Sequence, residues 1–170
     1  MATAGVGPDG HYVLFDGFIN LGGTRNWRNN NPGNIEAGSF ATGQGAIGSD
    51  GRFAIFPDMP TGRKTLSTLL TSRSYIALTI EQAMERYAPP SENDTNAYTN
   101  FISTRVGVNS STQMSDLTSD QLAAFVDAIY HFEGGTPGTT IQAGSAAAPE
   151  WALNLFEGAV PGAPAPAVSA

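Results

Sequence analysis

The chain contains no cysteine. That absence removes disulfides, thiolate metal ligands and a cysteine nucleophile together, and it lets the protein work in an oxidising compartment without mispairing. Histidine is nearly absent too, with only His11 and His131 among 170 residues. Two imidazoles are too few for a histidine-built metal centre, and no HExxH, EF-hand or P-loop pattern occurs, so neither a metal nor another cofactor is expected. No apolar run approaches the roughly 18 residues of a membrane span. The first ten residues lack a basic patch followed by an apolar stretch, so the expectation is synthesis in the cytoplasm without a signal peptide and without membrane insertion. Positive charge is scarce: eight Lys and Arg stand against 15 Asp and Glu, for a net charge of −7. All eight basic residues fall between Arg25 and Arg105. Nucleic acid is therefore a poor partner, because counterion-driven affinity needs a basic surface.

What is present is the material of one globular domain: 41% apolar and 9% aromatic residues with 14% charged. Residues 1–23 mix glycine with short apolar runs at His11–Phe15 and Phe18-Ile19, and read as a strand pair or an N-terminal arm packed on the core. Residues 24–58 are rich in Asn and Gly. Strands are expected at 35–40 and 52–56, the second entered from Ser49-Asp50-Gly51 and stopped by Pro57, which together suggest an antiparallel hairpin or small sheet. From Thr61 the pattern becomes helical, with Leu66, Leu69 and Leu70 on one face. Thr79-x-x-Gln82 and Thr118-x-x-Gln121 are capping boxes, Asp94 is a cap, and Gly107 and Gly134-Gly135 are stop signals. Leu122, Phe125, Val126 and Ile129 give the clearest amphipathic stripe. From 136 to 170 the chain is an Ala/Pro/Gly-rich extension, with a short helix expected at 149–156 and a mobile tail after Gly158. The fold class expected is α+β, mostly α-helical, with the main body at 24–135.

Three segments invite a chemical reading. Glu133 follows the amphipathic stripe at an angle within roughly 20° of Leu122 and Val126, so its carboxyl is aimed at the core. Burial without a basic partner favours the protonated form of a carboxyl, and glycosidic cleavage requires such a proton donor at the leaving oxygen. The alternative is a frayed helix end with Glu133 turned to water or clamped by an arginine. His131 falls on the far side of that helix, toward solvent. The second segment, Arg28-Asn29-Asn30-Asn31-Pro32-Gly33-Asn34-Ile35-Glu36, supplies amides suited to sugar hydroxyls and acetamido groups, with Trp27 or Tyr87 offering a ring face; it reads equally well as a turn built of turn residues. The third, Tyr87–Thr95, carries acids but is better explained by two prolines ending one helix and Asp94 capping the next. The glycines of 43–51 do not form a phosphate loop, since no Lys-Ser/Thr follows them.

RNNNPGNI at 28–35, DGRFAIFPD at 50–58, APPSENDT at 88–95 and FEGG at 132–135 occur in order over roughly residues 25–135. In this the chain resembles the lysozyme-like or lytic-transglycosylase-like domains of phage virion proteins and bacterial secretion effectors. The resemblance implies cleavage of peptidoglycan glycan strands as a muramidase or lytic transglycosylase. Familiar members begin with the helix that ends in the catalytic Glu; here the β-like region comes first, which implies a circularly permuted order and makes Glu133 the matching general acid. It further implies Glu36 as a second carboxylate, with Asp58 in reserve, and Arg28, Asn30, Asn31, Asn34 and Tyr87 as substrate-binding residues. A lysozyme uses a second carboxylate, whereas a lytic transglycosylase closes an anhydro ring with the sugar's own 6-hydroxyl and needs only one; both remain open.

Such an activity implies action in the periplasm or cell wall after delivery by a phage or a secretion system, with a cognate immunity protein if the chain is an antibacterial effector. The rival from another class is a non-catalytic virion or secretion-apparatus component that binds peptidoglycan through an inherited fold. The acidic surface, unfavourable for adsorption to an anionic wall, speaks for that rival.

Overall fold

A computed structural model describes residues 1–158 of the chain; the tail expected to be mobile lies outside the described residues. The elements, in order, are β1 (Thr3–Gly7), β2 (Gly10–Leu14), β3 (Phe18–Leu21), α1 (Arg25–Arg28), α2 (Ser39–Gly43), β4 (Gly48–Ser49), β5 (Ala54–Ile55), α3 (Met59–Leu70), α4 (Ile80–Tyr87), α5 (Thr95–Val106), α6 (Ser119–Phe132), β6 (Thr139–Gln142) and α7 (Glu150–Gly158), with a 3-10 turn at Met114–Asp116. The fold is α+β. No helix is long and apolar enough to cross a membrane among the described residues.

The helical body follows local signals closely. The Asp58 side chain accepts a hydrogen bond from the Thr61 N–H at 2.7 Å and caps α3. Reciprocal capping boxes open α4 at Thr79/Gln82 and α6 at Thr118/Gln121. Asp94 caps α5, which ends at Gly107 in the left-handed conformation. The stripes these caps align bury Leu66, Leu70, Ile80, Met84, Tyr98, Ile102, Phe125 and Ile129 completely, forming the main core. α5 and α6 pack side by side, with α3 and α4 completing the bundle.

Around this body the strands depart from expectation. The strand expected at 35–40 reduces to one bridge between Glu36 and Phe53, and α2 begins at Ser39. Residues 36–40 are all exposed, so no apolar face holds them in a sheet. The run at 52–56 shortens to β5, which pairs antiparallel with β4 across the Asp50-Gly51 turn.

The two flanking segments come together. β1, β2 and β3 form an antiparallel meander, and β6 adds to its β3 edge, giving the order β1-β2-β3-β6. Side chains alternate across this sheet. Ile19 and Ile141 face α7, where Ala152, Trp151, Leu155 and Phe156 cover them. Val13 faces the other way and packs with Ala2, Phe15 and Ile55. The helix expected at 149–156 is α7, following Pro149.

Candidate functional site

The Asn-rich loop owes its shape to its own amides. Asn26 is buried, donates to the carbonyls of Pro32 and Tyr130, and accepts from the Thr24 hydroxyl and the Trp27 N–H. Asn31, fully buried, donates to the carbonyls of Ile35 and Ala54 and accepts from the Ile35 N–H, each at 2.9 Å. Asn30 and Asn34 occupy left-handed backbone, at φ 52° and 49°, which asparagine tolerates better than most residues. Asn30 donates to the Phe56 carbonyl at 3.2 Å. The loop also presses directly on α3. A methyl group at Gly62 would overlap the Asn30 carbonyl, and one at Gly33 would overlap the Tyr87 hydroxyl and Leu66.

This anchoring aims Asn34 at the end of α6. Glu133 is the C-cap of that helix and is half-buried. Its Oε1 accepts a hydrogen bond from the Tyr98 hydroxyl at 3.0 Å, and its Oε2 accepts one from Asn34 Nδ2 at 3.2 Å, across 99 residues of sequence. The carboxyl therefore sits at the edge of the core, less enclosed than the helical angle implies. The reason is that α6 ends at Phe132 and the chain leaves through Gly134 at φ 78°. No Lys or Arg pairs with Glu133 among the described residues.

The surroundings of this carboxyl are neutral and aromatic. Tyr98 is fully buried, its ring stacked on Phe132 with centroids 3.8 Å apart and set edge-on to Tyr87 at 6.5 Å. Tyr87 donates its hydroxyl hydrogen bond to the Gly33 carbonyl, tying α4 to the loop. Burial pushes both phenols well above their ordinary value, and the nearby Glu133 charge pushes the same way. Both hydroxyls thus remain protonated donors at neutral pH. The network is compatible with either state of the acid. A phenol can donate to a carboxylate or accept from a carboxylic acid, and the Asn34 Oδ1, which is buried and has no partner, becomes an acceptor if the amide is turned over.

The other residues singled out from sequence make no hydrogen bond or ion pair to Glu133. Glu36 pairs with Arg52 at 3.0 Å with both side chains 65% exposed, outside the Glu133 network. Asp58 is occupied as the α3 cap. Arg28 donates to the carbonyls of Gly22 and Gly23, and, with the donors of Asn30 and Asn31 likewise engaged by backbone carbonyls, these three shape the loop. Of the five residues expected to bind substrate, Asn34 reaches Glu133 directly, and Tyr87 bonds Gly33, the residue before Asn34. His131 is exposed and pairs with Asp127, which also takes Arg63.

Tyr98 was not singled out by its sequence setting. Its signal is a tyrosine on a core-facing helix stripe, where a buried hydroxyl requires a partner that the same helix does not supply.

No protein-family model matches the chain. Protein P5 of Pseudoalteromonas phage PM2 is 30% identical to it over 118 residues, an alignment that takes in 66% of this chain and 72% of that protein. At that identity and coverage, the chain belongs to the family of Protein P5 of phage PM2.

Proposed function

We propose that the chain cleaves the glycan strand of peptidoglycan, with Glu133 as the general acid. The observation that carries this reading is the convergence of Asn34, from the Asn-Pro-Gly loop, and Tyr98 on the two oxygens of one carboxyl at a helix end. Glu133 delivers its proton to the glycosidic oxygen as the C–O bond breaks, and the leaving sugar departs as an alcohol. Tyr98 and Asn34 are neutral, so they orient the carboxyl without an opposing charge that would lock it as a permanent ion pair. The surface pairing of Glu36 with Arg52 favours a single-carboxyl route, in which the muramic 6-hydroxyl attacks the anomeric carbon, gives its proton back to the Glu133 carboxylate and closes an anhydro ring. That is the lytic-transglycosylase outcome. The late position of the Glu133 helix is consistent with a lysozyme-like domain in permuted order, and kinship with a phage protein favours a phage setting over a secretion system.

The test digests purified sacculi with the wild-type protein and with Glu133→Gln. Muropeptide release is expected to fall at least about 100-fold in the variant, the ordinary contribution of a general acid. Mass spectrometry of the wild-type products is expected to show anhydro ends. Equal release by the two proteins overturns the assignment, and binding of sacculi with no release by either returns the non-catalytic wall-binding reading.

A further inference from the structure

A second groove, separate from the Glu133 network, lies where the flanking sheet meets the Asn-rich loop. Its volume is about 310 Å³, at the small end of ligand pockets. One wall is β3 and β6, contributing Phe18, Thr140 and Gln142; the other is α1, the loop after it and the entry to α3, contributing Trp27, Asn30 and Asp58. Both rings are half-buried. The polar groups divide into two kinds. Thr140 donates its hydroxyl hydrogen bond to Asn20 at 3.0 Å, and the Asn30 Nδ2 is engaged by Phe56, so these are fixed by the fold. The Gln142 carboxamide, the Trp27 indole N–H, the Asn30 Oδ1 and the second oxygen of Asp58 have no hydrogen-bond partner within the protein among the described residues.

Ring faces beside an amide, an indole N–H and a carboxylate are the complement of a pyranose. The axial C–H face of the sugar packs on an aromatic ring, while its hydroxyls and acetamido group require donors and acceptors at the rim. Neither a phosphate nor a nucleic acid suits this groove, which contains no cation and does contain Asp58. We infer that the groove is a second saccharide site, which holds an N-acetylhexosamine unit of a glycan strand with Trp27 as its platform and Gln142 as its rim contact. The choice of an N-acetylated sugar rests on the glycan-directed reading of Glu133. The site itself uses residues from both flanks of the lysozyme-like stretch, and so gives the sheet a role in holding substrate.

The experiment uses the full chain carrying Glu133→Gln, so that the probe is not consumed, and tri-N-acetylchitotriose as the ligand, followed by calorimetry. Saturable binding is expected. Trp27→Ala should weaken it by about tenfold or more and Gln142→Ala by about threefold, with unfolding curves for Gln142→Ala superimposing on the parent. With Trp151→Phe added, Trp27 is the sole remaining indole of the two in the chain, and its emission should shift on titration. Absence of saturable binding, or affinity unchanged in both groove variants, overturns the inference. The two readings fail separately. Glu133-dependent release from sacculi with no effect of Trp27 or Gln142 on binding removes the groove alone, whereas groove-dependent chitotriose binding with intact sacculi removes the cleavage alone.

Discussion

Tyr98 is placed to act through one atom. Its ring is part of the main core and stacks on Phe132, while its hydroxyl is the donor to Glu133 Oε1. Tyr98→Phe keeps the ring and deletes that donor, so the two roles separate. Thermal unfolding of the variant should change little, with a loss of about 1 kcal/mol for the missing hydrogen bond. Muropeptide release should fall about tenfold or more, because the carboxyl then pivots on Asn34 alone. An unfolding loss of the expected size with unaltered release would make Tyr98 a core residue only. Asn34 and Asn31 show how differently neighbouring amides are employed. Asn31 spends its side chain on three backbone bonds, two to Ile35 and one to Ala54 of β5, whereas Asn34 turns to the acid. Residue type and spacing make the two look alike in sequence; only the direction each side chain takes distinguishes them.

At the scale of elements, the β4-β5 hairpin is held by Asp50. Its side chain accepts from the N–H groups of Arg52 and Phe53 and from Asn29 Nδ2, and it pairs with Arg25 at 3.3 Å while itself only 13% exposed. Burial works against its charge, but these hydrogen bonds and the Arg25 charge outweigh burial and bring its pKa below the ordinary 3.8. A carboxyl depressed on folding adds stability above its unfolded value and loses it as pH falls through the folded one. Asp50→Asn should therefore be less stable than the parent at pH 7, and the gap should narrow below about pH 4. Denaturant unfolding at pH 7, 4 and 2.5 measures this, and a gap that stays constant with pH would count against it. The helices are the most legible elements of this chain. Capping boxes at Thr79 and Thr118, the Asp94 cap and the Gly107 stop are local codes, read within one turn of backbone and confirmed where they stand. Short strands carry no comparable code. β4 and β5 are two residues each and exist because Asp50 and Asn31 organise the backbone on either side.

For the whole molecule, the sheet is the joint between the first and last described segments. Asn20 and Thr140 hydrogen-bond across 120 residues, and α7 closes the face that carries Ile19 and Ile141. Trp151 is the clasp of that closure: it packs on Tyr12 with centroids 5.6 Å apart, lies against Gly7, and donates its indole N–H to Asp9 at 2.8 Å. Trp151→Ala should destabilise the protein by about 2 to 3 kcal/mol, below the cost at a fully enclosed site because the ring is half-buried. Amide hydrogen exchange should localise the loss to β1, β2 and β6 and leave α5 and α6 protected. Faster exchange spread evenly through the helices would mean that the sheet and bundle unfold as one unit.

The sequence by itself determined the helical body: where α4, α5 and α6 start and stop, which of their faces are buried, and that Glu133 comes at the end of the strongest stripe. These are consequences of 3.6-residue periodicity and of backbone groups at helix ends, both short-range. Tertiary structure alone decided the rest. It shortened the strand expected at 35–40, since residues 36–40 are exposed, and it turned Arg28, Asn30 and Asn31 inward to backbone carbonyls. It also paired Glu36 with Arg52, drew β6 onto β3, and brought Asn34 and Tyr98 to the same carboxyl. Where the partners are distant in sequence, as for Asn31 with Ala54, Asn34 with Glu133 and β3 with β6, hydrogen-bond geometry and burial fix what spacing along the chain leaves undetermined.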